Sequence, residues 1–187
     1  MAFSCVTRNV CSILPLVVIL SIAPLSTSFA PSDKVTKELV DQLCSNSTIH
    51  KNFCVPWLTF DPATFTLDLT GLVDLVLLKT QLFAYKNLAM MKGFGSTTTD
   101  PVLKAPYGTC VTGYELAIKT IEEAQALAIS NSYQSASQSA FRSLISIGSC
   151  VGQLEGRSNV PAYVQQRNLL YVRMCTIDSV FSNVLAS

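Results

Sequence analysis

Histidine is nearly absent from this chain: His50 is the only one. A Ser-His-Asp or Cys-His catalytic site could use no other imidazole. There is no Gly-x-Ser-x-Gly, and the carboxylates are scattered. His50 reads most simply as a turn residue. Close CxxC spacing is also missing, so nothing points to zinc. Gly93-Phe94-Gly95 only weakly echoes a phosphate loop, because it follows a helical stretch and not a strand. We therefore assign no catalytic residue, no metal and no cofactor. Charge is scarce too, at 13% of residues, with 13 lysines and arginines against 12 aspartates and glutamates. Neither half carries a surplus, which argues against nucleic acid or an anionic membrane as partner. Pro and Gly are sparse, and no stretch alternates cleanly enough for a sheet.

The one long apolar run lies at the start. Arg8 precedes an apolar stretch from Ile13 to Leu25, and small residues follow to Ala30. A basic start, a short apolar run and small residues predict a secretory signal peptide over 1–30. The run is too short for a membrane span. No later segment qualifies either, because Asp74 and Lys79 break the richest one. Loss of the signal removes Arg8, Cys5 and Cys11, and leaves acidic and basic residues equal. Cys44, Cys54, Cys110, Cys150 and Cys175 remain, in an oxidising compartment. Their odd number leaves at least one thiol without a partner in the chain.

The mature chain is organised around the span from Cys110 to Cys150. The break Ser130-Asn131-Ser132 lies midway. Before it, Leu103, Tyr107, Cys110, Tyr114, Ala117, Ile121, Ala124 and Ala128 keep three-four spacing. After it, Tyr133, Ala136, Ala140, Leu144, Ile147, Val151 and Leu154 do the same. Two helices folded back at this break bring the two cysteines together, roughly 30 Å from the turn. A disulfide can close there if the facing positions match. Small residues on both stripes suggest close helix contact near the turn. The serines from Ser130 to Ser149 read as a solvated face, or as a flat face that a partner can approach.

Ahead of this unit, Ser32-Asp33 can cap a short helix bearing Val35, Leu39, Val40 and Leu43, and a second runs from about Ile49 to Leu58. Cys44 and Cys54 straddle the interruption, where Asn46-Ser47-Thr48 is an N-glycosylation sequon. Asp61-Pro62 ends this front hairpin (31–60). Its thin apolar face predicts a mobile appendage open to exchange with a second copy in a homodimer. A long helix from about Thr66 to Lys92 has Leu75, Leu78, Leu82, Tyr85 and Ala89 on one stripe, widened by Leu72, Val76 and Phe83. Gly93-Phe94-Gly95-Ser96 should form a loop, Pro101 should open the next helix, and Pro106 should kink it or delay its start. The last helix carries Val160, Tyr163, Leu170, Met174, Ile177, Phe181 and Val184, with Arg167 snorkelling out at the edge of that stripe. Cys175, beside the stripe, reads as a buried free thiol. Four long helices with short links predict an all-α fold: an antiparallel up-down-up-down four-helix bundle over 61–187, preceded by the short helical hairpin.

The chain resembles the plant invertase and pectin methylesterase inhibitors. The resemblance rests on Cys44 and Cys54 with Phe53 before the second, on Asp61-Pro62, on Asp68-Leu69 with Gly71-Leu72, and on the far-spaced Cys110 and Cys150. It covers essentially all of 31–187. Around the fourth cysteine many members read Thr-Cys, an acidic residue and Gly-Phe, where this chain has Ser149-Cys150-Val151-Gly152-Gln153-Leu154; Pro-Lys-Phe is absent before the last helix. The resemblance implies a hairpin-fronted four-helix bundle with first-to-second and third-to-fourth cysteine pairing, so Cys44–Cys54, Cys110–Cys150 and free Cys175. It also implies a protein that is not an enzyme, is secreted to the extracellular space or cell wall (or the vacuole), and blocks a carbohydrate-active enzyme one-to-one. The Asp-Pro and Asp-Leu-x-Gly-Leu variant is similar to the invertase inhibitors that include tree-pollen allergens, which ranks acid invertase ahead of pectin methylesterase. The family's target surfaces fall largely on the middle helices. Outward positions there are Glu115, Lys119 and Glu122 on one helix and Gln134, Gln138 and Arg142 on the other. The alternative is a non-inhibitory extracellular bundle: an apolar-ligand carrier, which needs a cavity of a few hundred Å³, or an abundant allergen-like protein.

Overall fold

The computed structural model describes residues 29–187. The expected signal peptide, with Cys5 and Cys11, lies outside them except for its last two residues. Two short helices, α1 (Lys37–Cys44) and α2 (Lys51–Thr59), lead through a 3-10 turn (Pro62–Thr66) into α3 (Leu69–Thr97). Then come α4 (Pro101–Ile129), α5 (Tyr133–Ser146), α6 (Gly148–Leu154) and α7 (Ala162–Leu185). Packing runs in a ring, α3 on α4, α4 on α5, α5 on α7 and α7 back on α3. With links this short, neighbours are antiparallel, giving the up-down-up-down bundle. Among the described residues the only β pairing is an isolated bridge between Lys34 and Asp68.

That bridge explains the late start of α1. The Val35 amide donates to the Leu67 carbonyl (3.1 Å), and the Leu69 amide to the Asp33 carbonyl (2.9 Å). Residues 33–35 are therefore committed to an extended pairing. The cap is Thr36, whose Oγ1 accepts from the Leu39 amide at 3.2 Å, and not Ser32-Asp33. Asp68 caps α3 through Gly71 (2.9 Å). Asp100 caps α4 through Val102 (2.9 Å), with Pro101 in its first turn. The α4 helix runs on through buried Pro106 without a late start.

The front hairpin is not an appendage. Val35, Val40, Leu43, Cys44, Ile49, Cys54 and Leu58 are all buried, in one cluster with Leu69, Leu72, Val73, Val76, Ile177 and Phe181. The hairpin closes one end of the bundle, and the Cys44–Cys54 disulfide ties α1 to α2 (Cα–Cα 5.7 Å). Its apolar face is thin because it needs to cover only one end of the bundle.

The α3 stripe is also displaced. Leu78, Leu82 and Tyr85 are exposed. The buried face runs through Leu69, Leu72, Val73, Val76, Leu77, Thr80, Ala84, Asn87 and Met91. Its middle is polar or small because the bundle centre holds a hydrogen-bonded layer. Arg167 Nε donates to Asn87 Oδ1 (2.7 Å), Asn87 Nδ2 to the Tyr114 oxygen (2.9 Å), and the Tyr114 hydroxyl to Asn168 Oδ1 (2.9 Å). Arg167 therefore turns inward at its polar end, with its guanidinium 4.5 Å over the Phe83 ring. Tyr163 is exposed, and Val164, Asn168 and Tyr171 take the α7 core positions. The helix α3 also continues through Gly93-Phe94-Gly95-Ser96, where a loop was expected. Phe94 stacks on Tyr107 (5.3 Å between centroids), and the Ser96 and Thr97 hydroxyls both donate to the Gly93 carbonyl at 2.9 Å.

Candidate target-binding face

The central hairpin is α4 against α5 and α6. It turns at Asn131, whose φ of 58° lies in the left-handed region that asparagine tolerates. The Asn131 amide donates to Ala128 O (2.9 Å) and that of Ser132 to Leu127 O (2.8 Å), satisfying the last carbonyls of α4. Ala117, Ala124, Ala128, Ala136 and Ala140 are buried between or beneath the helices. Gly113 permits a closer approach still. A Cβ there would stand 2.9 Å from the Ser146 carbonyl oxygen. The expected single helix after the turn breaks at Ile147 beside this contact, separating α5 from α6. The Cys110–Cys150 disulfide fastens the far end, at 4.5 Å between Cα atoms. A bridge closing a loop of this length adds roughly 4 kcal/mol through the unfolded chain in the entropic account.

Not all the serines form a solvated face. Ser139 and Ser143 are fully buried. Ser143 Oγ donates to the Ala117 carbonyl (2.8 Å), so the Tyr171 hydroxyl, 2.6 Å away, donates to Ser143. Burial raises the Tyr114 and Tyr171 phenols well above the ordinary range. It does the same for the Cys175 thiol, unpaired and enclosed, which the nearby Asp178 carboxyl raises further.

The six outward residues do not form one uniform patch. Glu115 is exposed and ion-paired to Lys92 of α3 (2.8 Å). Glu122 is half-buried and accepts from the Tyr85 hydroxyl (2.5 Å) and Gln81 Nε2 (3.1 Å), again on α3. That bond raises the Tyr85 phenol. Arg142 reaches across the hairpin to Glu123 (2.9 Å) and donates to Ser139 Oγ on its own helix (2.6 Å). Lys119, Gln134 and Gln138 stand open to solvent. Between and beside them are exposed apolar side chains that the periodicity did not select: Leu116 at 50%, Phe141 at 52% and Ile145 at 58% exposure. The signal for them was their place off the buried stripes, where a purely solvated helix would carry polar residues.

Elsewhere, His50 is the exposed residue preceding α2. Among the described residues no three His, Cys, Asp or Glu side chains gather as a metal site would require. No described helix is long and apolar enough to cross a membrane. Asn46 is exposed, and its Oδ1 accepts from the Thr48 amide (3.0 Å) and hydroxyl (2.8 Å).

Fold and face together define a disulfide-linked four-helix bundle, closed at one end by a helical hairpin, with a rigid central helix pair facing solvent. The profile of the plant invertase/pectin methylesterase inhibitor family matches residues 38–186, and the chain belongs to that family of enzyme inhibitors. It is 32% identical over 170 residues to a pectinesterase inhibitor of Actinidia deliciosa, covering 91% of this chain and 90% of that one. The fold matches the crystal structure of a pectin methylesterase inhibitor mutant from Arabidopsis (TM-score 0.67, 24% identity, 79% of this chain and 95% of that one). It also matches a pectin methylesterase inhibitor from Arabidopsis thaliana (TM-score 0.61, 24% identity, 81% and 98%).

Proposed function

We propose that the chain is a secreted inhibitor that lays the solvent face of its central hairpin over the cleft of a cell-wall carbohydrate-active enzyme and blocks it one-to-one. The observation carrying this reading is the pairing of rigidity with exposed apolar surface on one helix pair. The hairpin is fixed at its turn, at Gly113 and at Cys110–Cys150, yet it presents Leu116, Phe141 and Ile145 outward. A preordered surface loses little entropy on docking. The relative that supports a target is a pectinesterase inhibitor, so pectin methylesterase comes first and acid invertase second, reversing the order suggested by the Asp-Pro and Asp-Leu-x-Gly-Leu motifs. The sequon at Asn46 lies on the exposed turn of the front hairpin, where a glycan can attach. A homodimer by hairpin exchange would reuse in a second copy the contacts that bury the hairpin's apolar residues here.

The test is titration of pectin methylesterase and of acid invertase with the purified protein at mildly acidic pH. Stoichiometric loss of one activity supports the reading. Full rates for both enzymes at micromolar protein overturn it.

A further inference from the structure

Where α2 meets α3 and α7, away from the central hairpin, an open groove of about 340 Å³ has walls of Phe53, Trp57, Leu82, Phe83, Leu170 and Met174. Phe53 and Trp57 stack at 5.6 Å to form one wall. Leu82 and Phe83 lie off the buried face of α3, which runs through Thr80 and Ala84 at this level, and so reach the groove. Cations surround this apolar surface. Lys79 Nζ lies 5.6 Å from the Trp57 centroid, the Arg167 guanidinium 4.5 Å from that of Phe83, and the Arg173 guanidinium 6.0 Å from that of Phe53. Lys86 also lines the groove. Among the described residues, Asp61 alone ion-pairs with any of these four, through Lys79 at 2.6 Å. Arg173 Nε is buried without a hydrogen-bond partner. A chain with a formal net charge of only +1 thus places two lysines on the lining of one apolar depression, Lys79 paired with Asp61 and Lys86 in no ion pair among the described residues, with Arg167 and Arg173 behind its aromatic walls.

We propose that this groove binds a small amphipathic monocarboxylate, its apolar body against Trp57, Phe83 and Met174 and its carboxylate toward Lys86. The volume falls within the range of small-molecule pockets, and apolar walls with a few placed charges are the usual composition of such sites. Cation–π contacts hold the arginines and Lys79 at the ring faces, leaving the exposed Lys86, which is in no ion pair among the described residues, as the partner for an anion. This site is separate from the inhibitory face and stands or falls without it.

Trp57 is the only tryptophan, so its emission reports the groove directly. The full mature chain is titrated with decanoate, decanol and decyltrimethylammonium below their aggregation thresholds. Decanoate should shift Trp57 emission saturably with one-to-one stoichiometry, and should bind roughly tenfold tighter than either of the others. Lys86→Glu should abolish that preference while leaving the decanol response unchanged. Three results overturn the proposal: no saturable decanoate response, equal affinity for all three probes, or an unaltered preference in Lys86→Glu.

Discussion

At the scale of single residues, Asp178 is the side chain most at odds with its surroundings. It is fully buried on α7, and neither carboxylate oxygen has a hydrogen-bond partner; Ser182, one turn on, is likewise unpartnered. Thr80 faces it from α3, but its hydroxyl donates to the Val76 carbonyl (3.0 Å). Desolvation therefore raises the Asp178 carboxyl well above the ordinary range, with only slight relief from Thr80. Folding then favours the protonated form. The contribution of this group to stability is full in acid, below the ordinary carboxyl range, and is lost as pH rises through the elevated folded value. Asp178→Asn removes the charge at every pH. Its melting temperature should exceed that of the parent at pH 7, by about 2–4 °C for each kcal/mol recovered, with the gap closing toward pH 4. An equal gap at both pH values, measured calorimetrically, would disprove ionisation as the cause. Two glycines of α4 make a second, opposed pair. A Cβ at Gly108 meets nothing within 4 Å, so Gly108→Ala should gain about 0.5–1 kcal/mol from helix propensity. A Cβ at Gly113 meets backbone at 2.9 Å, so Gly113→Ala should instead lose about 1–3 kcal/mol by forcing α4 from α5. Urea denaturation of both variants checks the opposite signs.

Elements differ in how well the sequence announces them. The central hairpin was legible because its interior is apolar and small and its turn is marked by Ser130-Asn131-Ser132. Every stripe residue named for α4 is buried, though after the turn Leu144 and Val151 are only half-buried and Ser143 takes a core place. The face of α3 was not legible. Its core positions include Thr80 and Asn87, whose burial depends on partners elsewhere in the chain, while Leu78, Leu82 and Tyr85 supply the stronger periodic signal on the outside. Hydrophobicity alone selects the wrong stripe whenever the interior is hydrogen-bonded. The front hairpin was misjudged for a related reason: few apolar residues suffice when they close an end and not a side. Removing residues 29–60 should therefore uncover the Leu69, Leu72, Ile177 and Phe181 end of the core. The truncated chain should lose its sharp thermal transition and bind a hydrophobic dye. A cooperative melt close to that of the parent would restore the hairpin to the status of an appendage.

For the whole molecule, the inhibitory reading places one demand on the bundle, a surface of about 800 Å² on this side that keeps its shape on docking. The ring of helices leaves two broad options on either side of α4. Toward α3, Glu115 and Glu122 are already engaged by Lys92, Tyr85 and Gln81, and docking there would have to break those contacts. Toward α5, only the exposed Arg142–Glu123 pair intervenes, and Gln138, Phe141 and Ile145 are open. The α5 side is therefore the stronger candidate for the centre of the interface, where anchors that become fully desolvated on docking contribute most. Arg142→Glu would set two carboxylates together and confuse binding with stability. Gln138→Glu combined with Ile145→Glu replaces two exposed side chains and keeps both members of the Arg142–Glu123 pair. It should raise the inhibition constant for the target enzyme at least roughly tenfold, with helix content and melting temperature unchanged. Glu115→Gln, on the α3 side, should shift it far less. If the ranking is reversed in an enzyme titration at mildly acidic pH, the docking face belongs on the α3–α4 side, and the fixed contacts described there are part of the recognition surface itself.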